Sequence, residues 1–354
     1  MSRQIKVGKL LIGGGAPIVV QSMCNTLAED AESTLAQIGR LADVGCQLIR
    51  VALPRPNAVE PFRKICASSV LPVIADIHFD CRLALAALDA GAAGIRVNPG
   101  NMDDQEGLRE IARRAAASGQ AVRIGVNLGS LSPRARSAYG RSAKAMVESA
   151  REFLGVFEDA GCENLKVSLK ASDLPLTVEA CRLFHESSDW PLHLGVTEAG
   201  TPAQGVVKSA IGIGALLLDG IGDTIRVSLT APPEMEIPAA FRILDALGLR
   251  SDRPQIISCP TCGRTHIGLI ELAENVENAV NGLLAQGYRI PLKKIAVMGC
   301  EVNGPGEASD ADVGIAGGHG FGILFKNGQR VRSMPEAELL DALMQEIRAV
   351  SFKA

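Results

Sequence analysis

Residues Val73–Asn98 read VIADIHFDCRLALAALDAGAAGIRVN, and this stretch decides the fold. A short apolar run, Val73–His78, is followed by an Ala/Leu-rich helical stretch, Arg82–Ala90. Gly91 then stops the helix before a second run, Gly94–Asn98. The same phrase extends in both directions. Its other apolar runs are Ile18–Met23, Leu48–Leu53, Val122–Asn127, Leu165–Lys170, His193–Glu198 and Thr224–Leu229. Ala31–Val44 and Met102–Ala117 are further helical stretches, and Gly45, Gly119 and Gly161 repeat the stop expected of a helix C-terminus. Near-continuous apolar strands alternating with helices predict a parallel sheet covered by helices. Eight such units predict a (β/α)8 TIM-type barrel, with a doubly wound open sheet as the alternative. Lys6–Ala16 is expected to form a hairpin across the barrel bottom.

After Pro232 the phrase ends. Ala239–Leu247 reads as one more helix and Gly248–Pro254 as a linker, so the barrel is expected over 1–248 and a second domain over 249–354. That domain reads as a smaller α+β unit. Its expected strands are Gln255–Ser258, Lys294–Gly299, Asp312–Ala316 and Phe321–Lys326, and its expected helices are Gly268–Gln286 and Pro335–Val350. Of the 354 residues 47% are hydrophobic but only 3% aromatic, so the core must be built from aliphatic side chains. A net charge of −3 provides no overall basic field for nucleic acid or a membrane surface. Met1–Lys9 lacks the apolar segment of a signal peptide, and Ala210–Leu218 is too short to span a bilayer. The expectation is a cytoplasmic protein. There, nine cysteines are not a disulfide framework. Cys24, Cys46, Cys66, Cys81, Cys162 and Cys181 are scattered and read as small buried hydrophobes.

The other three cysteines form a constellation. Cys259-Pro-Thr-Cys262 follows a strand, and its C-x2-C spacing lets two thiolates reach one metal centre from a single turn. Cys300 follows another strand, in Gly299-Cys300-Glu301-Val302-Asn303-Gly304-Pro305-Gly306-Glu307. Backbone N–H groups exposed around Gly304 and Gly306 can donate to cluster sulfides. A fourth ligand must come from elsewhere, with Glu307 as first candidate and Glu301 and His266 as competitors. These residue types favour iron–sulfur but leave open a Cys3His structural zinc or a redox dithiol.

The strand ends supply the second signal, because barrel enzymes build their sites there. Ile-Arg-Val recurs at 49–51, 95–97 and 225–227, and Arg123-Ile-Gly-Val126 is a near variant. An arginine inside an apolar strand is costly unless it is paired or meets an anion. Arg50, Arg96, Arg123, Lys166, Lys170 and Arg226 outnumber the acids Asp76, Glu198 and Asp223. Arg226 with Asp223 is the expected internal pair. The excess predicts a phosphate or diphosphate ligand.

Several motifs, in order, carry a resemblance: Gln21-Ser22-Met23, Asp76-Ile77-His78-Phe79, Arg96-Val97-Asn98-Pro99-Gly100-Asn101, Arg123-Ile124-Gly125-Val126-Asn127, Val196-Thr197-Glu198-Ala199-Gly200, Ser258-Cys259-Pro260-Thr261-Cys262 and Val302-Asn303-Gly304-Pro305-Gly306-Glu307. Together they resemble the 4-hydroxy-3-methylbut-2-enyl diphosphate synthase family of non-mevalonate isoprenoid biosynthesis, across essentially the whole chain. The resemblance implies a [4Fe–4S] cluster held by Cys259, Cys262, Cys300 and Glu307. It implies diphosphate binding by Arg50, Arg96, Arg123, Asn127, Lys170 and Ser228, a substrate contact at His78, and a proton donor at Glu198. The implied reaction is reductive ring opening and dehydration of 2-C-methyl-D-erythritol 2,4-cyclodiphosphate, fed by ferredoxin or flavodoxin. A homodimer in which one subunit's cluster domain completes the other's barrel is implied as well. Cys24 stands where the family usually has Thr.

Overall fold

The structure, a computed structural model, describes residues 1–102, 104–250, 253–300, 306 and 308–353. The chain forms two compact units, Met1–Leu247 and Gly248–Ala354. The first opens with an antiparallel hairpin, β1 (Ile5–Val7) and β2 (Leu10–Ile12). Eight parallel strands follow: β3 (Val19–Met23), β4 (Leu48–Ala52), β5 (Val73–Asp76), β6 (Gly94–Val97), β7 (Ala121–Asn127), β8 (Leu165–Lys170), β9 (His193–Leu194) and β10 (Thr224–Ile225). Their order is β8-β7-β6-β5-β4-β3-β10-β9, and a bridge from Val167 to Leu192 closes the ring. The barrel reading therefore holds and the open sheet does not. Between and after the strands lie α1 (Ala31–Asp43), α2 (Val59–Ser68), α3 (Cys81–Asp89), α4 (Gln105–Ser118), α5 (Pro133–Tyr139), α6 (Ala143–Glu158), α7 (Leu174–Ser187), α8 (Pro202–Leu218) and α9 (Glu236–Ala246).

Local chemistry sets these boundaries. Asp30, Asp80, Asp104 and Asp173 each accept a hydrogen bond from a first-turn backbone N–H, which satisfies an orphan donor of the helix. At the far ends Gly45, Gly91, Gly119 and Gly161 take φ between 68° and 96°, where a side chain would be strained. The strands then divide by period two. Ile49, Val51, Ile95, Val122, Ile124, Val167 and Leu169 are buried in the continuous core shared with Ile38, Phe62, Phe157 and Phe184 of the surrounding helices. Their alternate neighbours, Arg50, Asp76, Arg96, Arg123, Lys166 and Lys170, turn into the barrel. A TIM-type interior is ordinarily filled by branched aliphatics, so this one is built to hold charge.

The hairpin seals the lower end as expected. Ile5, Val7 and Ile12 are at most 1% exposed, and the Lys6 N–H donates to Asn164 Oδ1 at 2.9 Å. The last two strands are shorter than predicted. The chain leaves the sheet after Leu194, bending through Glu198 (φ 55°) and Gly200 (φ 97°).

The second unit is a five-stranded sheet of order β11-β13-β14-β15-β16. Its strands are β11 (Gln255–Ser258), β13 (Lys294–Met298), β14 (Val313–Gly317), β15 (Phe321–Lys326) and β16 (Gln329–Pro335). The first three run parallel and the last two are antiparallel. Two helices, α10 (Leu269–Ala285) and α11 (Leu339–Val350), share one core with the sheet. A two-stranded ribbon, β12 (Tyr288–Arg289) with β17 (Phe352–Lys353), ties down the C-terminal end. Two expectations are corrected here. Pro335 ends a strand rather than starting a helix, and α11 begins at Leu339. Strand β16 is absent from the sequence reading because four of its seven residues are charged or polar, and its first five are exposed at the sheet edge.

Candidate functional site

Inside the barrel, register places the expected site residues abreast. Arg96 on β6 lies beside Asp76 on β5 and Arg123 on β7, and Arg123 lies beside Lys166 on β8. Asp76, 4% exposed, is the hub. Its carboxylate stands 3.7 Å from Arg50 Nε, 3.4 Å from Arg96 Nη1 and 3.3 Å from His78 Nε2. Burial works to raise the Asp76 pKa, but Arg50, His78 and Arg96 together hold it well below the usual carboxylate range. Two glycines make room for the cations. A Cβ on Gly125 would stand 2.8 Å from Arg96 Nε, and one on Gly195 would stand 2.7 Å from Lys170 Nζ.

One carboxylate cannot balance this set. Arg123 Nε and Nη1, Arg96 Nε and Lys166 Nζ are buried without a hydrogen-bond partner. Burial pushes the Arg50 guanidinium down to about 10, against Asp76 and with help from Arg226 and Arg96. Arg123 and Lys170 are driven well below their ordinary values, first by burial and then by neighbouring guanidiniums. Native proteins satisfy nearly all buried donors, so orphans on several converging cations describe a site shaped for an anion.

Arg226 is not paired with Asp223, contrary to expectation. Its Nε and Nη2 stand 3.3 Å from the carboxylate of Glu236 on α9, which also accepts from Ser22 Oγ and the Leu229 N–H. Asp223 precedes β10 and so lies at the opposite end of the barrel, where it accepts from Ser2 Oγ and the Leu192 N–H. Glu236 was invisible in the sequence: nothing in Pro233-Glu-Met-Glu236 marks which glutamate turns inward. Asn127 ends β7, and Ser228 and Glu198 follow β10 and β9, all on the C-terminal side. Glu198 is exposed in the left-handed backbone region that side chains rarely adopt. Such strain persists only where the surroundings impose it. Cys24 is buried, its thiol pushed up to about 12 by burial and then by Cys46, so it packs rather than reacts. Of the other scattered cysteines all but the half-buried Cys66 are buried as expected.

Asp76→Asn is expected to destabilise the unliganded fold by about 3 kcal/mol, because it strips Arg50 and Arg96 of the counter-charge they share. Because the Asp76 pKa is lowered on folding, the stabilisation is present above about pH 4 and is lost as pH falls through the folded value. Urea titration at pH 7 checks this; an unchanged midpoint would show that the hub carries no weight.

In the second unit the parallel neighbours β11 and β13 carry the cysteines. Ser258 pairs with Val297, so Cys259 and Cys300 leave the same sheet edge on adjacent strands. Cys259 Sγ already accepts the Gly299 N–H at 3.2 Å. Cys300 is buried and Cys262 exposed, and the Cys262 pKa is lowered by the backbone N–H and then the side chain of Arg264. Among the described residues no three His, Cys, Asp or Glu side chains gather around one point. The donor types still fit an iron–sulfur cluster: three thiols at one edge, one of them receiving a backbone N–H. Glu307 and its competitor Glu301 lie outside the described residues. His266 is exposed and its ring packs on His319, centroids 3.6 Å apart.

Comparison with known proteins agrees with this division. Residues 2–241 match the family description GcpE TIM-barrel domain, and residues 255–349 match GcpE protein C-terminal domain. A protein of Geobacter sulfurreducens named 4-hydroxy-3-methylbut-2-en-1-yl diphosphate synthase (flavodoxin) is 50% identical over 99% of this chain and 98% of its own. One of Parafrankia sp. with the same name is 48% identical over 98% of this chain and 89% of its own. Among solved structures, dihydropteroate synthase of Stenotrophomonas maltophilia superposes with a TM-score of 0.52 at 18% identity, covering 70% of this chain and 99% of that one. That likeness bears on the barrel fold alone. Among the described residues no helix is long and apolar enough to cross a membrane. With both family domains matched and half the residues shared end to end, the chain belongs to the GcpE family of 4-hydroxy-3-methylbut-2-en-1-yl diphosphate synthases.

Proposed function

We propose that this chain is a cytoplasmic iron–sulfur oxidoreductase that converts 2-C-methyl-D-erythritol 2,4-cyclodiphosphate to 4-hydroxy-3-methylbut-2-enyl diphosphate. The observation that carries the reading is the surplus of buried, unpartnered cationic donors inside the barrel. Residues 1–248 bind the substrate and residues 249–354 hold the cofactor. Arg50, Arg96, Arg123 and Lys170 take the diphosphate oxygens, with Arg preferred because its planar donors match phosphate. Asp76 keeps Arg50 and Arg96 aimed inward. Asn127, Ser228 and His78 orient the ring, and fixing it removes the orientational part of the barrier.

The reaction takes in two electrons and two protons, opens one ring C–O bond and releases one hydroxyl as water. Glu198 supplies the proton to the departing hydroxyl from its strained position. Cys259, Cys262, Cys300 and Glu307 would hold a [4Fe–4S] cluster, which when bound supplies one-electron reduction. Flavodoxin or ferredoxin delivers those electrons, flavodoxin being the donor in the relatives' names. The active enzyme is a homodimer whose subunits share each active site.

Metal analysis of protein purified without oxygen tests the cofactor assignment. The expected result is about four iron per chain with little zinc; one zinc and no iron would replace this reading with a structural zinc domain on a different barrel enzyme.

A further inference from the structure

Lys166 is left over from the site described above. It is the second residue of β8, 1% exposed, with no partner at Nζ. Arg123 of β7 lies beside it in register, and Arg50 of β4 adds a second positive neighbour. His193 of β9 also faces this interior. Its Nδ1 engages Thr224 Oγ1 at 2.8 Å while Nε2 has no partner, and burial followed by Arg123, Lys170 and Lys166 keeps the ring neutral. The acid that acts on it is Asp223, whose two oxygens are engaged by Ser2 and the Leu192 N–H. An ammonium in that position has repulsion from two sides and no acceptor.

We propose that above neutral pH Lys166 is uncharged in the free barrel and takes up a proton from solvent as the diphosphate settles on Arg123, becoming a further cation of the binding site. This rests on the reading of the barrel as a diphosphate site. The geometry is the driving force: an anion docked on Arg123 cancels the charge that most opposes protonation of its register neighbour. In agreement, burial and then Arg123 and Arg50 push Lys166 down to about 7. The ligand does not confuse the signal, since each phosphorus of a cyclic diphosphate lacks the second acidic oxygen that titrates near neutrality.

The sign follows from linkage. A group that is more basic in the complex than in the free protein makes binding proton-linked above its free pKa, so affinity falls as pH rises. Calorimetric titration of the cyclodiphosphate into the anaerobic, cluster-loaded protein, in two buffers of different ionisation enthalpy, measures the uptake. The expected result is close to one proton per site at pH 8 and little at pH 6, with affinity weakening by up to about ten-fold per pH unit above 7. Lys166→Met should abolish the uptake and flatten the pH dependence, while His193→Gln keeps both; uptake that persists in Lys166→Met would assign the proton to Lys170, which burial and then Arg123 also drive down. Wild-type binding with no uptake at pH 8, uptake that survives Lys166→Met, or uptake lost only in His193→Gln overturns the proposal. If Lys166→Met does not fold, Lys166→Gln, which likewise cannot gain a proton, takes its place in the same titration. Absence of any cyclodiphosphate binding to wild-type protein would instead count against the diphosphate reading itself.

Discussion

Arg123→Met is expected to weaken cyclodiphosphate binding by about 100- to 1000-fold while making the unliganded protein more stable. Both effects come from the same atoms. Arg123 is 2% exposed, and its Nε and Nη1 have no partner in the barrel. A phosphate that fills those donors gains two charge-assisted hydrogen bonds in a dry site, about 3–4 kcal/mol together. That energy is two to three decades in Kd. Without ligand, the same guanidinium is a buried charge facing Arg50 and Arg96, with Asp76 shared among them all. Methionine keeps the length of the stem and removes the charge, so the fold gains stability as buried ionic clusters do when replaced by apolar side chains. A thermal melt and a binding titration on the same preparation read both. If the variant binds normally and is destabilised, Arg123 is a structural residue and the anion lies elsewhere.

The second large effect is expected at the other unit. Cys300→Ser should reduce iron from about four per chain to below one and turnover to background, while leaving cyclodiphosphate binding within about two-fold of wild type. Cys300 is 4% exposed, and serine is close to it in volume, so the sheet around β13 survives. What is lost is the soft thiolate that iron requires. Comparison with Arg123→Met is informative because each substitution should remove one function and spare the other. Iron retained in full by Cys300→Ser would remove Cys300 from the ligand set.

Much of this was legible before the structure because buried parallel strands leave an unmistakable record. A strand covered on both faces must be apolar on its helix side, so an arginine inside one, as at Arg50, Arg96 and Arg123, stands out against its neighbours. The cysteines were legible for a similar reason, since a C-x2-C following a strand has few uses. Pairing was not legible. Which acid meets Arg226 depends on α9 folding back over the barrel mouth, and that contact lies in tertiary packing, not in spacing. Asp223 does not belong with the strand ends at the mouth, because it precedes Thr224 and so sits at the N-terminal end of β10. Strand β16 was missed since Arg330 and Arg332 on an exposed edge look like a loop, although Asn327-Gly328, at φ 48° and 73°, is the turn that announces a hairpin. The left-handed backbone of Glu198 has no sequence signature at all. The depth of Lys166 became visible only when register set it beside Arg123.

The proposed activity needs both the cation-filled barrel and the cysteine-bearing domain to reduce a cyclic diphosphate. Its most direct test is to incubate the anaerobic, iron-loaded protein with the cyclodiphosphate and reduced flavodoxin, following phosphorus NMR and electron consumption together. The cyclic phosphorus signals are expected to give way to those of an open-chain diphosphate, with two electrons consumed per molecule converted. Cyclodiphosphate recovered unchanged from fully loaded, fully reduced protein, or opened without electron consumption, would contradict it.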